Sequence, residues 1–293
     1  MGEIRTRKVE ANGLTFTIDE CGEGDRVALL LHGFPESRIC WRHQLPALAA
    51  LGWRAVAPDL RGYGDSSRPE GREAYAIEHL VDDSAALFDM LGAKQRLLIG
   101  HDWGGMVAWA FAIRQARPLD ALALLNAPYP SVYAKAVRGW RQRLRSWYIP
   151  FFQLPWLPEK VFGARRARRL ARAIRRSARK PETFPRRVMN LYRDNASAPG
   201  ALTAMINYYR ANRNLRELAR GPGVAAPTLL LWGERDTALG RELIAPTEAY
   251  VDDLAIQRFP DVSHWLPEEA PDEVNAALAE WLRELGLVSG LAD

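Results

Sequence analysis

Two cysteines, Cys21 and Cys40, are too few in 293 residues to brace a fold with disulfides; reduced thiols are expected. No apolar run approaches the roughly 20 residues that a bilayer span requires. The opening stretch MGEIRTRKVEANGLTFTIDECGEG lacks the apolar segment of a secretory signal, so a cytoplasmic location is expected. No Cys/His cluster has metal-ligand spacing, and GYGDSS (62–67) lacks the lysine of a phosphate-binding loop. Neither a metal nor any other cofactor is therefore expected. Low-complexity segments are missing too, which excludes a largely disordered chain.

What is present is an ordinary globular composition, 48% hydrophobic and 10% aromatic, with a formal net charge of +5. The charge is segregated: Lys135 to Arg193 holds 18 Lys and Arg against two acids, Glu159 and Glu182. Such a block can mark nucleic acid, a membrane surface or anionic ligands. Within it, GARRARRLARAIRRSARK (163–180) places Ala167, Leu170, Ala171, Ile174 and Ala178 at helical spacing, with arginines opposite. The plainer expectation is an amphipathic helix with a solvated arginine face, packed on an acidic body, and no nucleic-acid partner.

Residues 1–128 alternate between strand-like and helix-like patterns. LTFTID alternates with period two, as in an edge hairpin, whereas RVALLLHG, WRAVAPD, RLLIGHD and LALLNAP are short continuous apolar runs. Helical patterns at 41–50, 77–91 and 105–114 separate them. This order predicts a mostly parallel, doubly wound sheet covered on both faces. From 129 to 222 the strand signal disappears and amphipathic stretches punctuated by prolines take over, predicting an inserted all-helical cap. After GPGVAAP (221–227), a hinge-like boundary, the α/β pattern resumes across 223–293. Loop-closure entropy grows slowly with length, so a long insertion between two strands is tolerated.

In doubly wound sheets, ligands bind beyond the carboxyl ends of the strands. Four polar sites fall there in chain order: His32-Gly33, Asp102, Asp236 and His264. The order nucleophile, acid, histidine is that of a hydrolytic triad on a strand-to-helix elbow. In GHDWGG (100–105) aspartate occupies the nucleophile position, and the glycines suit a sharp turn. A carboxylate at a helix N-terminus is favoured in its ionised form. His264 is the expected base, with Asp236 fixing its tautomer, and the Phe34 and Trp103 amides are the expected oxyanion hole. Asp59 and Arg61 are expected to stabilise a loop, and His101, His43 and His79 to be structural.

These residues sit in segments that together resemble an α/β-hydrolase of the epoxide hydrolase family over essentially the full chain. The segments are LLHGFPES, CWRHQLPALAALGWRAVAPDLRGYGDSS, GHDWGGMVAW, LNAPYP, SWYIPFFQLPWLPE, NYYRAN, WGERD and VSHWLPEEAP. The resemblance implies a covalent alkyl-enzyme ester on Asp102, formed from a small-molecule epoxide and then hydrolysed by water. It also implies two cap tyrosines that bind and protonate the epoxide oxygen. Tyr148 matches the first by its spacing to Phe152-Gln153. Tyr209, just before Arg210, matches the second, while Tyr208 stands where the family often has tryptophan. Phe34, Trp103, Trp147, Phe152 and Trp265 are the expected lining of an apolar cavity between cap and core.

The alternative is a haloalkane dehalogenase, which uses the same aspartate but needs N–H donors for halide. Trp103 supplies one candidate donor; Phe34, at the usual second position, has none. A fluoroacetate dehalogenase would place arginine where Trp103 and Met106 stand. A degenerate hydrolase serving as a scaffold is disfavoured because every catalytic element is present. Arg38-Ile39-Cys40 and RQARPLD (114–120) depart from the family pattern and bear on pocket shape rather than reaction type. Oligomeric state stays open, a homodimer being the assembly considered.

Overall fold

The short apolar runs become the strands of one sheet. In the computed structural model, which describes residues 2–213, 218, 221 and 223–288, eight strands can be traced. They are β1 (Arg5–Ala11), β2 (Leu14–Cys21), β3 (Arg26–Leu31), β4 (Arg54–Pro58), β5 (Gln95–His101), β6 (Ala121–Leu125), β7 (Thr228–Gly233) and β8 (Leu254–Phe259). Their order across the sheet is β1-β2-β4-β3-β5-β6-β7-β8. β1 and β2 form an antiparallel edge hairpin, β2 runs antiparallel to β4, and every later pairing is parallel.

Continuous hydrophobicity in β3, β5 and β6 has a simple cause: both faces of these strands are covered. Successive side chains point to opposite faces. Val27, Leu29, Leu31, Leu98, Leu122 and Leu124 therefore pack towards α2 (Ile77–Met90) and α3 (Trp103–Ile113). Ala28, Leu30, Leu97, Ile99, Ala121 and Ala123 pack towards α1 (Gln44–Ala50) and α11 (Pro271–Glu284). The helix expected over 41–50 starts later than its pattern, because Arg38–Trp41 forms a separate 3₁₀ turn. Truncating a fully buried residue such as Leu98 to alanine should cost about 2–5 kcal/mol.

Among the described residues, six α-helices lie between β6 and β7: α4 (Pro130–Ala136), α5 (Trp140–Arg145), α6 (Tyr148–Phe152), α7 (Leu157–Ser177), α8 (Arg186–Ser197) and α9 (Ala201–Ala211). A four-residue helix, α10 (Leu266–Glu269), precedes α11. Of the expected hinge at 221–227, Pro222 lies outside the described residues, and Val224 bridges to Val251. The expectation for the arginine-rich helix needs correcting in one respect. α7 is broken at Ala164–Ala167, where Arg165, Arg166 and Ala167 have φ of 54°, 54° and 50°. Beyond the break, Ala167, Leu170 and Ile174 are buried as expected. Of the arginines, Arg166 meets Asp194 at 2.6 Å, but those further along the helix do not share that arrangement. Arg168, Arg172, Arg175 and Arg176 share a surface groove with Arg186 and Arg193 of α8, and no carboxylate lines it. Arginine keeps its hydration at low cost when only the apolar side of the helix is buried, so no acidic bed is required.

α9 and its flanks tie the cap to the core beside the cavity, and the segment after α7 does so through Arg179 and Lys180, whose amides donate to Glu269 at 2.7 and 3.2 Å. Tyr208 donates its phenol to the Arg61 carbonyl at 2.9 Å. Asn212 accepts the Ile77 amide at 2.8 Å and donates to the Tyr75 carbonyl at 2.9 Å. Arg61 is itself fixed by Asp83, and Asp59 by Arg38, so both loop residues act as the sequence led us to expect.

Candidate active site

β5 ends at His101 and α3 begins at Trp103, leaving Asp102 alone to make the turn, with φ 50° and ψ −117°. A residue with a side chain rarely holds that conformation, and it persists only where its surroundings enforce it. Here the enforcement is close backbone packing. A methyl at Gly104 would lie 2.0 Å from the Leu31 carbonyl oxygen, and one at Gly33 would lie 2.4 Å from the Asp102 Cβ. The Phe34 amide donates to Asp102 Oδ1 at 2.8 Å. The Trp103 amide stands at the first position of α3, where a helix leaves its donors without an intrahelical acceptor.

The loops after β7 and β8 bring Asp236 and His264 to the same end of the sheet. His264 Nδ1 lies 2.6 Å from Asp236 Oδ2, and its Nε2 lies 3.7 Å from Asp102 Oδ2. Asp236 also accepts the amides of Ala238 at 2.7 Å and Leu239 at 2.9 Å through Oδ1. Burial alone would raise the Asp236 carboxyl, but the imidazolium and these amides hold it below the ordinary carboxylate range. Burial would likewise lower the His264 imidazole. The Asp236 charge and hydrogen bond, with Asp102 beyond, instead raise it to about 9. At neutral pH this favours the imidazolium form of His264.

Two residues that the sequence reading passed over complete this arrangement. Asn126, at the end of β6, donates to Asp236 Oδ2 at 2.8 Å and accepts the Gly233 amide at 2.9 Å. It clamps the acid to the neighbouring strand. A polar residue ending the apolar run LALLN was the available signal, the same one that marks Asp102. Glu36 is fully buried and meets His101 Nδ1 at 2.8 Å, while the other ring nitrogen of His101 donates to the His264 carbonyl at 2.9 Å. His101 is structural, as expected, and it sets the backbone of the catalytic-histidine loop. His32 is structural as well: it accepts the Leu60 amide at 3.1 Å and its other nitrogen donates to the Gly33 carbonyl.

Asp102 forms part of the wall of a cavity of about 880 Å³ between cap and core. Tyr148, at the start of α6, and Tyr209, in α9, line the same cavity. Their rings meet edge to face at 5.9 Å. Burial, with the Asp102 charge among the lesser causes, pushes both phenols well above their usual range, so both are protonated donors. The Trp103 side chain lines the cavity and packs edge to face against the Tyr209 ring at 5.0 Å. Tyr208 faces away, into the core contact described above.

The expected pocket lining needs correction. Of the five residues named, only Trp103 lines the cavity. Phe34 and Phe152 stand behind it, meeting the Tyr209 ring edge to face at 5.4 Å and tilted at 4.8 Å. Trp265 is buried against His264 and Phe184, and its indole donates to Ser177 at 3.0 Å. Trp147 is 61% exposed. An aromatic residue beside a motif reveals its type but not the side of the helix on which it falls. The walls are formed instead by Met106, Tyr133, Val137, Ile149 and Leu239, among others. Among the described residues, no group of His, Cys, Asp and Glu is placed to hold a metal ion.

Comparison with known proteins agrees with this geometry. The sequence pattern of the alpha/beta hydrolase fold family matches residues 27–271. The AB hydrolase superfamily protein YfhM of Bacillus subtilis is 36% identical over 97% of this chain and 99% of its own length. Epoxide hydrolase A of Mycobacterium tuberculosis is 34% identical over 98% of this chain and 100% of its own. Human epoxide hydrolase 4 is 37% identical over 94% of this chain and 78% of its own. The crystal structure of a Bacillus megaterium epoxide hydrolase bound to an inhibitor superposes with a TM-score of 0.87 at 27% identity, covering 94% of this chain and 100% of that one. With a nucleophile elbow, a buried Asp–His pair and a helical lid all in family order, the chain belongs to the α/β-hydrolase fold family, within its epoxide hydrolases.

Proposed function

We propose that this protein hydrolyses an epoxide to its vicinal diol through an ester on Asp102. The observation that carries the reading is an aspartate, rather than a serine, on the elbow, with two protonated phenols lining the same cavity. A carboxylate needs no general base in order to attack, and its natural target is a saturated carbon. Oδ1 is engaged by the Phe34 amide, which leaves Oδ2 as the attacking oxygen. As it bonds to carbon the epoxide C–O bond breaks, and Tyr148 or Tyr209 supplies a proton to the departing oxygen.

Esterification also prepares the second step. It removes the Asp102 charge, one of the causes that hold His264 at about 9. The imidazolium then gives its proton up to the tyrosinate and becomes a neutral base. It takes a proton from water, and the resulting hydroxide attacks the ester carbon. Charge develops on Oδ1, where the Phe34 and Trp103 amides stabilise it. The diol oxygen leaves with the proton from His264, and the new carboxylic acid returns its own proton to the histidine. Atoms and charge balance over the cycle, and one oxygen of the Asp102 carboxylate now comes from water.

The dehalogenase reading fits the site less well. Halide would need two side-chain N–H donors; Trp103 supplies one candidate, but Phe34, at the usual second position, has none. The deciding experiment is a single turnover with styrene oxide in heavy-oxygen water. Label is expected in Asp102 and not in the diol of that first turnover. Label directly in the diol would exclude the ester, and halide release from bromoalkanes without diol from epoxides would favour the rival.

A further inference from the structure

Among the described residues, six large apolar side chains are exposed, and five of them fall in one stretch of the cap. Trp140 is 69% exposed, Leu144 65%, Trp147 61%, Leu154 43% and Trp156 67%. Trp140 and Leu144 stand one turn apart on α5, and Trp147 follows just beyond its end. Exposed apolar side chains concentrated in one stretch of chain point to an interaction surface. Its charge is equally one-sided: residues 121–158 contain no Asp or Glu but carry Lys135, Arg138, Arg141, Arg143 and Arg145. Arg145 reaches Glu242 at 3.0 Å, whereas Arg141 lies over the Trp140 ring at 5.4 Å. The patch is also continuous with the catalytic cavity, whose wall includes Arg138, Trp140, Arg143 and Leu144.

We propose that the cap stretch 138–156 docks on the surface of an anionic bilayer, with its tryptophans at headgroup level and its arginines on lipid phosphates. Tryptophan prefers the membrane–water boundary, and basic residues beside it are drawn to anionic lipid. No helix among the described residues is long and apolar enough to cross a membrane, so the contact is with the surface. A second copy of the chain is a poorer occupant. A two-fold contact sets a patch against itself, which would bring Arg138, Arg141 and Arg143 against their own copies with no acid in the stretch to offset them. Nucleic acid would match the arginines but leave the exposed indole and leucine surface without an apolar partner. Docked in this way, the cavity opens towards the bilayer, and an apolar epoxide dissolved there reaches Asp102 without crossing water. That last consequence rests on the epoxide hydrolase reading, but the docking does not.

The test needs no substrate. The full chain is sedimented with vesicles of phosphatidylcholine alone, or with phosphatidylserine added. Binding to the anionic vesicles is expected, weakened by salt. Trp147→Ser combined with Trp156→Ser should weaken it about tenfold or more. Arg141→Gln should weaken it about fivefold. None of these residues lines the cavity, so turnover of a small water-soluble epoxide by the variants should be unchanged; thermal unfolding checks their fold independently. Failure to sediment with anionic vesicles, or binding unaltered in the double tryptophan variant, would overturn the proposal. So would a concentration-dependent dimer that the tryptophan substitutions abolish.

Discussion

The two walls of the catalytic cavity are built by different means. On the core side, Asp102, Asp236 and His264 are held by short hydrogen bonds to backbone amides and to one another, on loops anchored by parallel strands. On the cap side, Tyr148 and Tyr209 are held mainly by edge-to-face contacts with each other and with Phe34, Phe152 and Trp103. Directional bonds fix positions tightly, while ring packing tolerates repacking at a cost of order 1 kcal/mol. In the proposed cycle, bond making at Asp102 would thus rest on the rigid wall, and handling of the leaving oxygen on the adaptable one.

The contrast can be broken at several strengths. Asp102→Asn removes the nucleophile, and diol formation should fall on the order of 10⁴-fold or more. His264→Gln should arrest the cycle one step later, with the ester visible as a mass increase on the intact protein; normal turnover in this variant would rule out the two-step scheme. On the cap wall, Tyr148→Phe together with Tyr209→Phe should lower epoxide opening on the order of 10³-fold, and either change alone by considerably less, because one donor remains. Asn126→Ala leaves Asp236 short of one donor. It should cost about 1–2 kcal/mol in thermal or denaturant unfolding and reduce turnover less than any of the preceding changes.

A pH experiment sharpens the same comparison. His264 is raised from 6.5 to about 9 on folding, so its contribution to stability is complete below pH 6.5 and is lost as pH rises through about 9. The shift corresponds to about 3 kcal/mol. The unfolding free energy of the parent protein should therefore fall by about that amount relative to His264→Gln across this window. An identical pH profile for the two proteins would show that the imidazolium is not held by the core wall.

The same division explains what could be read from the sequence. Asp102, Asp236 and His264 were legible because each ends an apolar run, and a strand end in a parallel sheet has a known place. Tyr148 and Tyr209 were reached through family resemblance, since helical spacing alone does not say which ring faces a ligand. The pocket lining was misread for that reason: Phe152, Trp147 and Trp265 have the right chemistry and the wrong direction. Asn126 and Glu36 escaped because their partners lie 110 and 65 residues away in the chain. The arginine face of α7 showed its amphipathic period plainly, but a period does not reveal whether acids lie beneath it.

Tyr208 and Tyr209 are chain neighbours with opposite assignments, one bonded to the Arg61 carbonyl and the other facing the cavity. Consecutive positions on a helix point about 100° apart, so a single rotational setting of α9 serves both the mooring of the lid and the presentation of a phenol to the cavity. Deleting one residue ahead of the pair would turn Tyr209 into the mooring direction and leave the cavity without its phenol. A lid grafted from a relative would have to preserve this phase, whatever else it changed.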